Sequence, residues 1–273
     1  MNLNASIRIS DIIARIEQEH HWTVGVCGAS LRNASEYAHR GTGQFPAASL
    51  VKLFVAYAAL VEARGRDMHA RITITPDDGE RGNGTLANLT QDTLPLSDIL
   101  YFLLAHSDNT AQRVLERTFG VDALAKHITD LHLSNTTYVP RRAPHDTRAT
   151  TTPDDVVRFL RALWDGSLVS LDERTLILSA LAQSHTTYYG LRHLPCTLNT
   201  QNPIIHTYYE KAGKTFDTVN DALILCTETD TLFLSIFITD IHETTNGNSV
   251  DHAGIRALAT VAKVLYTTLT NNT

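Results

Sequence analysis

Three short strings in the sequence combine residue types that can carry out nucleophilic catalysis. They are Ser49-Leu50-Val51-Lys52, Ser107-Asp108-Asn109 and Lys211-Ala212-Gly213. A serine hydroxyl is a weak nucleophile that needs a base, and a desolvated lysine can lose its proton and become one. The chemistry that these strings allow is therefore acyl transfer through a covalent intermediate on serine.

The first string places a serine and a lysine three residues apart at the beginning of an apolar, helix-like segment. This spacing puts Ser49 and Lys52 on one face of the helix, where the helix N-terminus favours nearby negative charge. We therefore predict that Ser49 is the nucleophile and Lys52 its base. The pattern also occurs by chance, and a capped helix with an exposed lysine is the alternative interpretation.

The other two strings are weaker when each is taken alone. Ser107 can relay a proton to a leaving group and Asn109 can position a substrate amide, but serine, aspartate and asparagine are also common caps and turn formers. A lysine followed by a small residue and a glycine, as at Lys211, has no meaning by itself. The string Gly213-Lys214-Thr215 is not a phosphate-binding loop, because Tyr208 stands where its first glycine is required.

The predicted elements around these strings are helices in the middle of the chain and strands towards its ends. Apolar periodicity predicts an amphipathic helix through Ile9 and Ile16, and composition predicts a strand over residues 23–27 and a hairpin from strands 221–227 and 231–239. Helices are predicted over residues 49–63, 96–106, 109–120 and 251–269, one opening at Thr152-Pro153-Asp154, and one with a Ser170/Glu173 capping box. The predicted architecture is a helical block inserted between the parts of an antiparallel sheet.

Taken together, the three strings resemble the signature S-x-x-K, S-D-N and K-T-G of the serine β-lactamase and penicillin-binding-protein superfamily, especially class A enzymes. The gaps of 58 residues from Ser49 to Ser107 and 104 from Ser107 to Lys211 suit that family. Residues 43–60, 82–115 and 149–170 are similar to the segments around its first two motifs and after its omega loop. The resemblance covers nearly the whole chain.

This resemblance implies an α+β fold, with an antiparallel sheet flanked by helices and an all-helical subdomain. Residues 1–40 and 190–273 would form the α/β subdomain and residues 41–189 the helical one, within a single domain. Ser49 would be acylated, Lys52 would be its general base, and Ser107 would pass the proton to the leaving group. Lys211 would hold the hydroxyl network in an electropositive field and help to bind a substrate carboxylate. The oxyanion hole would be formed by the backbone N–H groups of Ser49 and Lys214.

The sequence departs from this family pattern in its omega loop. Class A enzymes carry a glutamate there that activates water to release the acyl group, but residues 131–150 contain no glutamate. Asn135 or Thr136 falls near the expected position, and His132, His145 and Asp146 are the other candidates for a base in this stretch. Leu133 and Ala149 stand near the positions of the usual Arg–Asp bridge. Because a general base contributes about 10²–10⁴-fold, we expect a long-lived acyl-enzyme with β-lactams.

The third motif departs as well. Ala212 replaces the usual threonine or serine, which removes a hydroxyl that would bind a substrate carboxylate. Ala212, Gly213 and Lys214 nevertheless remain candidate substrate-binding residues with Asn109, and Lys214 could compensate for the lost hydroxyl. His106, beside Ser107, is interpreted as a helix-terminal histidine rather than a pocket residue.

Composition excludes several other classes of protein. The 273-residue chain is 43% hydrophobic and 19% charged with a net charge of −6, so a nucleic-acid partner is not expected. The opening residues lack the pattern of a signal peptide, and no apolar run is long enough to span a bilayer, which predicts a cytosolic address. Cys27, Cys196 and Cys226 have no metal-ligand spacing and read as free thiols. We expect no cofactor and no metal.

Three functions are consistent with these observations. The first is a serine hydrolase or acyltransferase that acts on an amide or ester, resembles a DD-peptidase, and turns over β-lactams poorly. The second is a class A-type β-lactamase with a substitute deacylation base. The third is a non-catalytic relative that binds a ligand, although a pure binder has no chemical need for Ser49, Lys52, Ser107 and Lys211 together.

Overall fold

A computed structural model describes residues 8–79, 84–90, 92–139, 149–184, 189–196, 198–242 and 252–271. The strands are β1 (Thr23–Ser30), β2 (Glu36–His39), β3 (Phe45–Pro46), β4 (Arg71–Thr73), β5 (Thr93–Pro95), β6 (Thr150–Thr151), β7 (Thr207–Lys214), β8 (Val219–Cys226) and β9 (Thr231–Thr239). The helices are α1 (Ile9–His20), α2 (Val51–Glu62), α3 (Leu96–Ala105), α4 (Asn109–Phe119), α5 (Val121–Thr129), α6 (Pro153–Asp165), α7 (Leu171–Leu181) and α8 (Ala253–Thr270).

The main sheet is antiparallel with the strand order β2-β1-β9-β8-β7, so β7 is an edge strand. The predicted hairpin is confirmed as β8 and β9, which pair over their whole length. Their residues are buried on both faces, because α1 and α8 cover one face and the helical block covers the other. This explains why these strands read as continuous apolar runs rather than alternating ones.

The helical block is built around α2, which is buried on nearly all sides. The helix predicted from Ser49 begins as a 3-10 turn over Ala48–Leu50 and becomes α-helical at Val51. Helix α5 was not predicted, because it is short and follows α4 directly through Gly120. The α+β fold class is confirmed, whereas the division into subdomains at residues 40 and 190 stays a prediction.

Local capping signals are found where the sequence predicts them. The Thr152 hydroxyl accepts the N–H of Asp155 at the start of α6, and Ser170 with Glu173 forms a reciprocal capping box on α7. The three cysteines are free thiols. None of the described helices is long and apolar enough to cross a membrane.

Candidate active site

Ser49 lies in the 3-10 turn at the N-terminus of α2, directly against β7. The preceding residue, Ala48, has a positive φ of 45°. This conformation costs a residue with a side chain about 1–3 kcal/mol, and here it directs the turn towards the sheet. A methyl group added to Gly213 would lie 2.9 Å from the backbone nitrogen of Ser49. A glycine is therefore required for this close approach of the strand to the turn.

Lys52 is buried, with 1% of its surface exposed, and its ammonium nitrogen is the centre of the site. The Nζ atom lies 3.3 Å from the Ser49 Oγ and 3.2 Å from the Ser107 Oγ. It also lies 2.5 Å from the backbone oxygen of Ser107 and 2.7 Å from the Asn109 Oδ1. The structure thus joins the first two sequence motifs through a single nitrogen atom.

These contacts decide what Lys52 can do with its protons. A backbone carbonyl and an amide oxygen can only accept hydrogen bonds, so together they take two N–H groups of Lys52. The third tetrahedral position faces hydroxyl oxygens, which can accept a proton or donate one. A neutral Lys52 can therefore keep both of its N–H bonds while its lone pair receives the proton of Ser49, which is the geometry of a general base.

The Ser107-Asp108-Asn109 string forms the junction between α3 and α4. Ser107 has a positive φ of 53°, which turns its carbonyl and hydroxyl towards Lys52. The Asp108 carboxylate caps α4 at the N–H of Ala111 and accepts the N–H groups of Thr85 and Leu86 at 2.6 and 2.7 Å. Asp108 is therefore a structural clamp, whereas Ser107 and Asn109 contact the Lys52 Nζ.

Lys211 is 2% exposed and donates to the backbone oxygen of Ala212 at 3.0 Å. Among the described residues no carboxylate lies within ion-pair distance of its Nζ, although a buried ammonium is costly without compensation. Burial lowers the pKa of Lys211 to about 8, and the carboxyls of Glu210 and Asp221 oppose this shift. These two carboxyls supply the nearest negative charge.

Glu210 and Asp221 form a fully buried carboxyl pair on the α8 side of the sheet. Successive strand residues point to opposite faces, so Glu210 lies behind Lys211, and Asp221 is opposite Ala212 on β8. Burial and the neighbouring Asp221 raise the pKa of Glu210 well above its usual value, and burial raises that of Asp221. Asp221 is held by the N–H groups of Gly190 and Ala222. Because both pKa values are raised, the pair carries less than two negative charges at neutral pH.

Strand β7 also presents a backbone donor to the cleft. Thr215 donates its N–H to Thr218, so these residues are a hydrogen-bonded pair of the hairpin. Hydrogen-bonded and non-bonded pairs alternate in an antiparallel ladder, so the next pair, Lys214 with Val219, turns its N–H groups away from the partner strand. The N–H of Lys214 therefore lies at the free edge of β7. The N–H of Ser49 lies at a helix N-terminus, where such groups lack intrahelical partners.

Ala212 and His106 pack against apolar and aromatic neighbours. The methyl group of Ala212 is 3% exposed and packs in the apolar cluster beneath α8, so only the backbone of Ala212 can face the cleft. His106 ends α3 and packs its ring against Tyr101 and Phe102, as expected for a helix-terminal histidine.

The segment that corresponds to the omega loop is held by Asp155 of α6. The Asp155 carboxylate accepts the backbone N–H of Asn135 and the hydroxyl of Thr136, both at 2.9 Å. Thr137 then pairs with Thr150 in an antiparallel bridge. Asn135 and Thr136 are thus tied to the start of α6 through the Asp155 carboxylate. His145 and Asp146 lie outside the described residues.

Two residues that support the site were missed in the sequence. The sequence does not single out Asp155, because its partners lie 19 and 20 residues earlier in the chain. The amide of Asn220 donates to the carbonyls of Pro46 and Ala47, both at 3.1 Å, and so fixes the approach to Ser49. An asparagine beside an aspartate at the start of a mostly apolar strand was the available signal for this second residue.

The fold and the Ser49–Lys52–Ser107 geometry define the class of serine hydrolases in which a lysine, rather than a histidine, faces the nucleophile. The model of the β-lactamase enzyme family matches residues 8–269, and this chain belongs to that family.

Among the proteins similar to this chain are two solved structures and one further relative, and each is a β-lactamase or PBP-A. The solved structure of the β-lactamase from Sphaerobacter thermophilus is similar at 25% identity and a TM-score of 0.83, over 96% of this chain and 97% of that one. PBP-A, at 20% identity and a TM-score of 0.80, shares the fold over 99% of this chain and all of its own. A β-lactamase of Bacillus licheniformis is 23% identical, and that match spans 67% of this chain and 62% of the relative.

Proposed function

We propose that this protein is a serine hydrolase or acyltransferase that forms a covalent acyl-enzyme on Ser49 with an amide or ester substrate. Its substrate would be a small molecule or a peptide with an acyl group. The observation that carries the proposal is the position of the Lys52 Nζ, 3.3 Å from the Ser49 Oγ and 3.2 Å from the Ser107 Oγ. One nitrogen can therefore exchange protons with both hydroxyls.

The reaction would proceed in two half-reactions. Lys52 takes the proton of Ser49 as its Oγ attacks the substrate carbonyl, and the N–H groups of Ser49 and Lys214 stabilise the oxyanion. Ser107 passes a proton to the departing nitrogen or oxygen, which leaves an ester on Ser49. Water or another acceptor then attacks this ester, with Lys52 again as the base. The positive charge of Lys211 favours substrates that carry a carboxylate.

We further propose that β-lactams acylate Ser49 but leave slowly. Residues 131–150 contain no glutamate, and the Asp155 carboxylate already accepts two hydrogen bonds from Asn135 and Thr136. A positioned general base is worth about 10²–10⁴-fold, so deacylation without one is slow. A variant of PBP-A has been solved as an acyl-enzyme complex with penicillin G. This precedent supports the test with penicillins.

Intact-mass spectrometry with a fluorescent penicillin, a chromogenic cephalosporin and a chromogenic thioester tests the proposal. We expect an adduct that persists for minutes or longer, slow cephalosporin turnover, and thioester hydrolysis. Ser49→Ala should abolish all three, whereas Ser167→Ala, at the end of α6, should behave like the wild type. Failure of all three substrates to react with Ser49 would overturn the proposal.

A genuine β-lactamase with a substitute base is the second candidate. It is favoured by the family and by the similarity to the Sphaerobacter thermophilus enzyme. The same experiment separates the two candidates, because fast cephalosporin turnover without a detectable adduct would support the β-lactamase. A non-catalytic ligand-binding relative would show neither the adduct nor turnover.

A further inference from the structure

A second cavity lies away from Ser49, between α7, the end of α6 and the first half of β7. Its volume is about 520 Å³, within the range of roughly 300–1,000 Å³ that is common for small-molecule sites. Its mouth is open between exposed residues of α7 and β7. It is lined by Trp164, Arg174, Thr175, Leu178, Ser179, Ala182, Thr207 and Tyr209.

The guanidinium of Arg174 gives this cavity a positive charge that could bind an anionic ligand. Arg174 is half-buried and donates one N–H to the backbone oxygen of Trp164 at 2.6 Å, which holds the guanidinium at the C-terminal end of α6. None of the described lining residues is acidic, and the described carboxylates form no ion pair with Arg174. A guanidinium has five N–H donors in a planar fork, so most of those on Arg174 remain open to a ligand.

The walls of the cavity are aromatic on one side and hydroxyl-bearing on the other. The rings of Trp164 and Tyr209 lie 6.0 Å apart at an angle of 56°, and Leu178 adds an aliphatic surface. Thr175 and Ser179 are four residues apart on α7 and therefore share the face that lines the cavity. This combination suits a planar apolar body with one anionic end.

We propose that this cavity is a binding site for small aromatic carboxylates. The guanidinium of Arg174 matches a carboxylate in a bidentate arrangement, which an ammonium could not provide. The ring of the ligand would pack against Trp164 and Tyr209, and the hydroxyls of Thr175 and Ser179 would take any further polar substituent.

The site is separate from the catalytic cleft but shares a strand with it. Tyr209 and Lys211 are two residues apart on the same face of β7, about 7 Å along the strand. None of the described residues that line the cavity belongs to the Ser49–Lys52–Ser107 site or is Lys211, so a ligand in the cavity would bind outside the Ser49 cleft. Binding should persist when Ser49 is acylated or replaced by alanine.

Isothermal titration calorimetry with trans-cinnamate tests the proposal, with the neutral isostere cinnamamide as the matched ligand. The chain has two tryptophans, so a Trp22→Phe background makes Trp164 a specific fluorescence reporter of the same binding. We expect saturable cinnamate binding that perturbs Trp164 and is at least about tenfold tighter than cinnamamide binding, because the amide cannot form the charged pair.

Three variants complete the test. Arg174→Gln should weaken cinnamate at least about tenfold, and Ser179→Phe, which fills the cavity from an exposed position, should abolish binding even if the arginine variant is unstable. Arg158→Gln, on the exposed face of α6, should bind like the wild type. Absence of saturable binding, equal binding of the amide, or loss of binding after penicillin acylates Ser49 would each overturn the proposal.

Discussion

At the scale of single residues, the surroundings of Lys52 favour the catalytic interpretation over a purely structural one. A capped helix with an exposed lysine was the alternative, but Lys52 is buried and contacts two hydroxyls and two obligatory acceptors. Lys52 therefore faces the hydroxyls of Ser49 and Ser107 from within the protein rather than from solvent, which is the arrangement that the proposed general base requires.

Lys52→Arg tests this assignment, because arginine keeps the positive charge but does not deprotonate in proteins. We expect the rate of Ser49 acylation by penicillin to fall by about 10²-fold or more, as for loss of a general base. Stopped-flow fluorescence with a fluorescent penicillin measures the rate, and the melting temperature reports whether the variant folds. Lys126→Arg, in the surface pair with Asp130, is the matched control. An acylation rate within a few-fold of wild type would rule out Lys52 as the base.

At the scale of elements, the α3–α4 junction is held by a residue that does no chemistry. Asp108 accepts three backbone N–H groups, two from Thr85 and Leu86 and one from Ala111 in the first turn of α4. A side chain added at Gly84 would lie 2.3 Å from the Asp108 Oδ2, so this segment passes directly over the carboxylate. The aspartate of the second motif thus fixes the backbone that turns Ser107 and Asn109 towards Lys52.

Asp108→Asn should therefore lower the free energy of unfolding by about 2–4 kcal/mol, because a donor would face the N–H groups of Thr85 and Leu86. Urea denaturation measures this loss. Asp122→Asn, at an exposed position in the first turn of α5, should change stability by no more than about 0.5 kcal/mol. Equal stability of the two variants would show that the clamp contributes little.

At the scale of the whole molecule, the charge of Lys211 depends on groups behind the sheet. Glu210 and Asp221 lie in the core beneath α8, whereas Lys211 points towards the helical block. Because burial lowers the pKa of Lys211 to about 8, the residual negative charge of the carboxyl pair helps to keep it protonated at neutral pH. The carboxyls on the α8 side of the sheet thereby help to keep Lys211 charged on the cleft side.

This arrangement predicts an alkaline limb in the pH profile of acylation. As the pH rises through about 8, Lys211 loses its proton and its positive charge, so the acylation rate should fall. Lys211→Arg should remove this limb, because the guanidinium stays charged. The double variant Glu210→Gln/Asp221→Asn removes the whole opposing charge and should shift the limb to lower pH.

The single variants and a control sharpen this test. Either single replacement leaves one carboxyl to carry the charge, so its shift should be smaller than that of the double variant. Glu116→Gln removes another buried carboxyl, which lies on α4 and accepts hydrogen bonds from Gln112 and Tyr138, and should leave the limb in place. A limb that does not move in the double variant would show that the pair does not act on Lys211.

The features that the sequence by itself determined are those that arise over a few residues. Caps at Thr152 and Ser170, the hairpin of β8 and β9, and the serine–lysine spacing depend on local hydrogen bonds and periodicity. The order of the three motifs also identified the family before any distance was known. The α+β architecture followed from that resemblance.

Only the tertiary structure decided which atoms meet. Lys52 contacts Ser107 and Asn109 across 55 and 57 residues, and Asp155 anchors Asn135 and Thr136 across 20 and 19 residues. The buried pair of Glu210 with Asp221 and the cavity at Arg174 left no pattern in the sequence. Burial and long-range contacts are set by how whole elements pack, and packing depends on all the elements at once rather than on any one segment.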